Sequence, residues 1–280
     1  GCINACAALP WFPNPCTIEP MRVLILALAA LSLGACVTTG PDGTVQTPKA
    51  APEPADLERR AATRLELASL YFSRGQYDTA LEEIKFALAA RPDLGTAYNL
   101  RGLVQAAMGD EAQADDSFAR ALALNPRDAD AMHNRAWFHC QRNRFADADR
   151  LFEQALAMPQ YRDAARTWLA QGVCSARAGR LDDAQRQLSR AVEADVGNAT
   201  AALNLAEVLY RRGEYERARF HIRRVNARED VSNAQTLWLA LRIENRLGNR
   251  GLVDDLGRQL RARFPQAAET LAYERGRLDD

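Results

Sequence analysis

The feature that most constrains this 280-residue sequence is an internal period. Residues 61–92 place Leu67, Ala68, Tyr71, Gly75, Tyr77, Ala80, Ile84, Ala87 and Pro92 in an order that reads as helix, tight turn, second helix and stop. The same order starts at Ala61, Gly95, Ala129, Ala165, Ala199 and Ala234, at intervals of 34, 34, 36, 34 and 35 residues. A unit of that length cannot bury its apolar face alone, so the repeats must stack into a continuous core.

The repeats agree in phase as well as length. The turn residue recurs as Gly75, Gly109, Asn143, Gly179, Gly213 and Gly248, and glycine and asparagine both tolerate the left-handed conformation that ends a helix. Ala80, Ala114, Ala148, Ala184 and Ala218 follow five residues later, expected to face Ala68, Gly102, Ala136, Gly172 and Ala206, because small residues let two helices approach closely. The closing proline stands at Pro92, Pro126 and Pro265 and is displaced at Pro159. Period and pattern resemble the tetratricopeptide repeat. The expected fold is therefore all-α: a right-handed superhelical solenoid of six repeats over 57–265. Residues 266–280 supply a capping helix, since an end repeat otherwise leaves an apolar face in water. The sixth repeat departs most from the pattern, with Val253 and Gly257 replacing the expected alanine and bulky apolar residue.

Before the repeats come three segments of different character. Residues 1–20 lack a methionine and hold Cys2, Cys6 and Cys16 without helical or strand period, and are expected to be an upstream extension ahead of Met21. Residues 21–35 read as a signal peptide: Arg22 is followed by an uncharged apolar run too short to span a bilayer. Leu33-Gly34-Ala35-Cys36 resembles a bacterial lipobox, which implies lipid attachment at Cys36 and, with Val37 rather than aspartate next, sorting to the outer membrane. Residues 36–56 carry Pro41, Pro48, Pro52 and Pro54 among small and polar residues. They are expected to form a disordered tether reaching about 25 Å.

Chemistry is sparse. The three histidines, His133, His139 and His221, form no His-Glu-x-x-His pattern, and no cysteines pair at metal-ligand spacing. His139 and Cys140 are adjacent on a helix and point about 100° apart, which excludes a direct nucleophile–base pair. No glycine-rich phosphate loop occurs. An enzyme, a metal, a cofactor and a small-molecule substrate are therefore not expected. A net charge of zero gives little counterion release to drive nucleic-acid binding. Cys140 and Cys174 lie on the first helices of consecutive repeats at different phases, and are expected to be free thiols, an inter-repeat disulfide being the alternative. The arginines of the fifth repeat, 211, 212, 217, 219, 223, 224 and 228, are expected to be balanced by Glu214, Glu216 and Glu229.

Positions 5, 9 and 12 of each repeat line the inner face of such a solenoid. Here they include Leu65, Phe72, Leu103, Trp137, Leu169, Val173, Tyr210 and Trp238, with Trp137 and Trp238 expected to be the most exposed. The lysines and asparagines that clamp a terminal carboxylate elsewhere in the superfamily are missing, Asn99 and Asn245 excepted. A mostly apolar groove with aromatic anchors suits a partner helix or extended segment.

The whole plan resembles the PilF/PilW family of type IV pilus biogenesis and stability lipoproteins. It rests on the lipobox cysteine, the six repeats, the two-residue expansion around Met158-Pro159-Gln160-Tyr161, and the C-terminal runs 237–242 and 259–265. That resemblance implies a non-catalytic pilotin anchored through Cys36 on the periplasmic face of the outer membrane. Its groove would bind subunits of the pilus secretin and promote their localisation and multimerisation. The alternative is a general periplasmic adaptor recruiting peptidoglycan enzymes or outer-membrane assembly factors.

Overall fold

A computed structural model describes residues 53–278, so the upstream extension, the signal segment, Cys36 and most of the expected tether lie outside the described residues. Thirteen helices and no strand occupy the described part. They pair as α1 (Pro54–Ser73) with α2 (Tyr77–Ala90), α3 (Gly95–Met108) with α4 (Glu111–Leu124), and α5 (Ala129–Gln141) with α6 (Phe145–Leu156). Then come α7 (Ala164–Arg177) with α8 (Leu181–Ala194), α9 (Ala199–Arg211) with α10 (Tyr215–Asn226), α11 (Ala234–Arg246) with α12 (Arg250–Arg263), and the terminal α13 (Ala268–Glu274). Helix α1 begins at Pro54, ahead of Leu57, with proline in the first turn, where its missing N–H costs nothing.

All six repeats close their first helix in the same way. Gly75, Gly109, Asn143, Gly179, Gly213 and Gly248 have positive φ, Asn143 at 59° being the only non-glycine among the described residues. The turn residue donates its N–H to the carbonyl three residues back and the next residue donates to the carbonyl five back, as in Gly109 N–H to Ala106 O and Asp110 N–H to Gln105 O. This double bond set satisfies carbonyls that the helix leaves open and reverses the chain in three residues.

Within a repeat the close approach is between a small residue and a large one. A Cβ at Gly102 would lie 2.8 Å from the Phe118 ring, and one at Gly172 would strike Leu188. The small residues expected to face one another are buried, but these glycines abut the bulky residue one helical turn beyond Ala114 and Ala184. The bulky position recurs as Ile84, Phe118, Phe152, Leu188 and Ile222, all at 0–1% exposure. In the sixth repeat the volumes exchange: Leu241, fully buried, stands at the small position and Gly257 at the large one. The ring of Tyr273 from α13 occupies the space over Gly257, where any Cβ would collide with it. Thr270 anchors the same helix by donating to Phe264 O at 2.7 Å. The cap expected from the sequence is thus formed, and it fills the gap that made the sixth repeat look weak.

Stacking is asymmetric. Each first helix packs on its own second helix and on the first helices of neighbouring repeats, whereas the backbones of second helices pack on first helices and stand apart from one another. The first helices therefore crowd onto the inner side of the curve and the second helices spread over the outer side.

Candidate partner-binding groove

The eight predicted groove residues all sit on first helices, and seven of them, Leu65, Phe72, Leu103, Trp137, Leu169, Val173 and Trp238, are half-buried. Most have one edge in the core. Leu65 and Phe72 pack on the cluster around Ala68 and Ile84, Leu103 on Phe118 and Phe138, and Leu169 on the cluster around Leu205 and Leu209. Trp137 and Trp238, expected to be the most exposed, are half-buried as well: Trp137 leans on Phe152 and the two cysteines, Trp238 on Leu237 and Leu260. Val173 belongs to none of these clusters. Tyr210 differs, being 7% exposed. The guanidinium of Arg242, from the next first helix, lies 4.7 Å from its ring centroid, and the Tyr215 ring packs at 5.5 Å on another side.

Cys140 and Cys174 form a disulfide, with Cα atoms 5.8 Å apart and both residues fully buried. This corrects the expectation of free thiols. The different phases assigned to the two cysteines came from counting through the expansion at 158–161, but the expansion is absorbed in the loop between α6 and α7. Helices α5 and α7 meet in a register of 34 residues. His133, two turns before Cys140, lies opposite Thr167, two turns before Cys174, with Nδ1 2.8 Å from the hydroxyl. Residues seven apart share a helix face, so the two pairs are consecutive rungs of one junction. Tyr161, from the expansion itself, closes the upper rung through its hydroxyl, 2.6 Å from that of Thr167. Burial pushes the pKa of His133 down to about 4, with Arg166 adding to the effect, so the ring is neutral at pH 7.

A polar ladder beside the apolar residues had no signal in the period. Asn134 donates to Asn99 at 3.2 Å and accepts from Arg166 at 2.9 Å, linking α3, α5 and α7. Of the asparagines singled out by sequence, Asn99 is therefore a member of this ladder.

In the fifth repeat, Glu214 holds Arg212 and Arg217, and Glu216 holds Arg219, as expected. Two acceptors were unforeseen: Asp182 of α8, which pairs with Arg212, and Glu244 of α11, 3% exposed, which receives Arg223 at 3.3 Å. Arg228 pairs with Asp230 at 2.8 Å instead of Glu229. Arg224 alone of the seven has neither an ion pair nor a carbonyl acceptor among the described residues, and lies 5.7 Å from the Phe220 ring centroid. Among the described residues no group of three His, Cys, Asp or Glu side chains is placed to hold a metal, and no helix is long and apolar enough to cross a membrane.

Three family patterns described as tetratricopeptide repeat match residues 65–129, 129–158 and 175–239. The type IV pilus assembly protein PilF of Pseudomonas aeruginosa is 24% identical over 254 residues, covering 91% of this chain and 98% of that protein. The crystal structure of PilW, described as a widely conserved type IV pilus biogenesis factor, superposes with a TM-score of 0.71 at 29% identity, over 76% of this chain and 97% of that one. The structure of P. aeruginosa PilF superposes with a TM-score of 0.70 at 22% identity, over 79% and 99%. These solved structures share the superhelical solenoid fold.

Proposed function

We propose, from the premise that the chain belongs to the tetratricopeptide repeat family, that it is a type IV pilus biogenesis scaffold whose inner face binds subunits of the outer-membrane secretin. The observation that carries the reading is the extent of likeness to the pilus assembly protein PilF: 98% of that protein is matched, so the repeat array is shared as a unit and not as a few generic repeats. The groove supports a protein ligand over a small molecule. Seven of its eight side chains are half-buried and lie on five of the six first helices, α9 contributing only the buried Tyr210, a strip suited to a helix or extended segment. Aromatic side chains already held on one edge lose little entropy when covered, and such residues dominate interface energies.

The anchor in this reading is Cys36, lipidated after cleavage of residues 21–35, with the residues from 36 up to the start of helix α1 at Pro54 as the tether. Several acyl chains, at about 0.8 kcal/mol per buried methylene, hold a protein stably on a membrane, here the periplasmic face of the outer membrane. The buried Cys140–Cys174 disulfide supports an oxidising compartment. Deleting the gene and measuring twitching motility together with heat-resistant secretin multimers tests the proposal. Loss of both is expected. Normal multimers with altered cell-wall composition would instead favour the adaptor that recruits peptidoglycan enzymes.

A further inference from the structure

On the outer side the backbones of successive second helices stand apart, joined near the start of α8 by the Arg180–Asp149 ion pair at 2.6 Å, and a first helix forms the floor between them. Two neighbouring clefts are open. One, of about 420 Å³, lies between α6 and α8 over Trp168 and Gln171 of α7. The next, of about 410 Å³, lies between α8 and α10 over Ala199 and Ala202 of α9. Repeat symmetry places Arg190 and Arg224 at the same point of these clefts, each eleven residues after its turn glycine. Neither forms an ion pair among the described residues. Glu153 stands on the far rim of the first cleft without pairing to Arg190.

Two polar groups facing these clefts lack partners. Gln171 is 4% exposed and its amide, open to the first cleft, has no hydrogen bond among the described residues, and His221 Nδ1, at the second cleft, is buried and unsatisfied. A buried polar atom without a partner, as at His221, is destabilising, and a mostly buried amide with none is ready to bond a ligand, so both groups mark places where a ligand can complete the structure. A pocket of another kind, between α3 and α4 within the second repeat, offers a contrast. There Arg101 donates to Ser117 at 2.9 Å, Ser117 to Gln105 at 2.6 Å and Gln105 to Gln113 at 3.2 Å, so the polar groups satisfy one another.

We propose that the two open clefts form a second docking surface, on the face opposite the groove, for an extended acidic segment of a partner protein. Its apolar side chains enter successive clefts, over Trp168 in one and Val225 in the other, while its carboxylates meet Arg190 and Arg224. The Gln171 amide offers one donor group and one acceptor, which matches a peptide backbone and not an acyl chain. Phe220, 59% exposed beside Arg224, adds an apolar rim. This surface is independent of the groove and of what occupies it.

The test is fluorescence anisotropy of the full-length protein with a labelled eight-residue peptide of alternating aspartate and leucine, beside its lysine–leucine counterpart. The acidic peptide is expected to bind at 0.1 M salt and the basic one not. Arg190→Glu with Arg224→Glu should weaken binding at least tenfold while leaving the thermal midpoint unchanged, both side chains being exposed. Gln171→Leu should weaken binding severalfold yet raise the midpoint, an outcome that simple loss of folding cannot produce. Val173→Glu, in the groove, should leave binding intact. Absence of binding, equal binding of the two peptides, insensitivity to both arginine reversals, or arginine-dependent binding only to vesicles of anionic phospholipid would each overturn the proposal.

Discussion

The junction between the third and fourth repeats and the junction between the sixth repeat and its cap solve one problem with opposite materials. At the first, two repeats of matching shape already meet, and a disulfide and a His133–Thr167–Tyr161 chain fix their register. At the second there is no further repeat to meet. Leu241 and Gly257 exchange the usual volumes, and a single ring, Tyr273, completes the core. Interior junctions can thus be specified by polar and covalent links because packing is supplied by symmetry. A terminal junction must first replace the packing. Stability in a stacked array is a sum of such local terms, so each junction should be breakable by itself.

The largest effect is expected at the interior junction. Opening the Cys140–Cys174 bond, which closes a loop of 34 residues, should cost about 3–4 kcal/mol on the chain-entropy account, read as a fall in the urea midpoint with reductant or in the Cys140→Ala/Cys174→Ala pair. Tyr273 should stay docked under those conditions; undocking would mean that the two junctions are coupled.

Acid comes next. His133 has its folded pKa lowered to about 4 by burial and by Arg166, against about 6.5 unfolded. The folded state therefore disfavours the proton. The contribution is fully present above pH 6.5 and is lost as pH falls from 6.5 to 4, by up to about 3 kcal/mol at 1.36 kcal/mol per pKa unit. Denaturant titrations across that window should show the loss in the wild type and a shallower dependence in His133→Gln.

At the cap, Gly257→Leu restores the volume found in the other repeats but collides with Tyr273. A cost of about 1–3 kcal/mol is expected, with faster amide exchange confined to α13 and the last turns of α12. Tyr273→Ala added to Gly257→Leu should recover part of it. The smallest effect belongs to Asn233, whose side chain accepts from Thr236 N–H while Thr236 accepts from Asn233 N–H, a capping box at the start of α11. Asn233→Ala should cost about 1 kcal/mol, visible as a small fall in thermal midpoint.

What the sequence made legible was whatever recurs within a repeat. Turn positions, the positive φ of Asn143, first-helix starts within a residue of the period from the second repeat on, and the need for a cap all follow from spacing. What it hid lies between repeats. The cysteine register depended on where the expansion at 158–161 was absorbed, and a loop absorbs it without shifting the helix faces. The burial of Tyr210 depended on an arginine one repeat away, Arg242, lying over its ring. The outer clefts depended on second helices standing apart, which no period encodes. Gly257 was visible as a deviation but became meaningful only once Tyr273 was seen above it.

The central claim is that the inner face binds secretin subunits, and Val173 tests it most cleanly because, among the residues proposed to line the groove, it is half-buried without joining the core clusters. The measurement is recovery of the type IV pilus secretin with the affinity-tagged full-length protein from solubilised envelopes, comparing the wild type with Val173→Glu at matched protein levels. The account predicts at least a tenfold drop in recovered secretin for Val173→Glu, with the thermal midpoint unchanged. Undiminished recovery would contradict it.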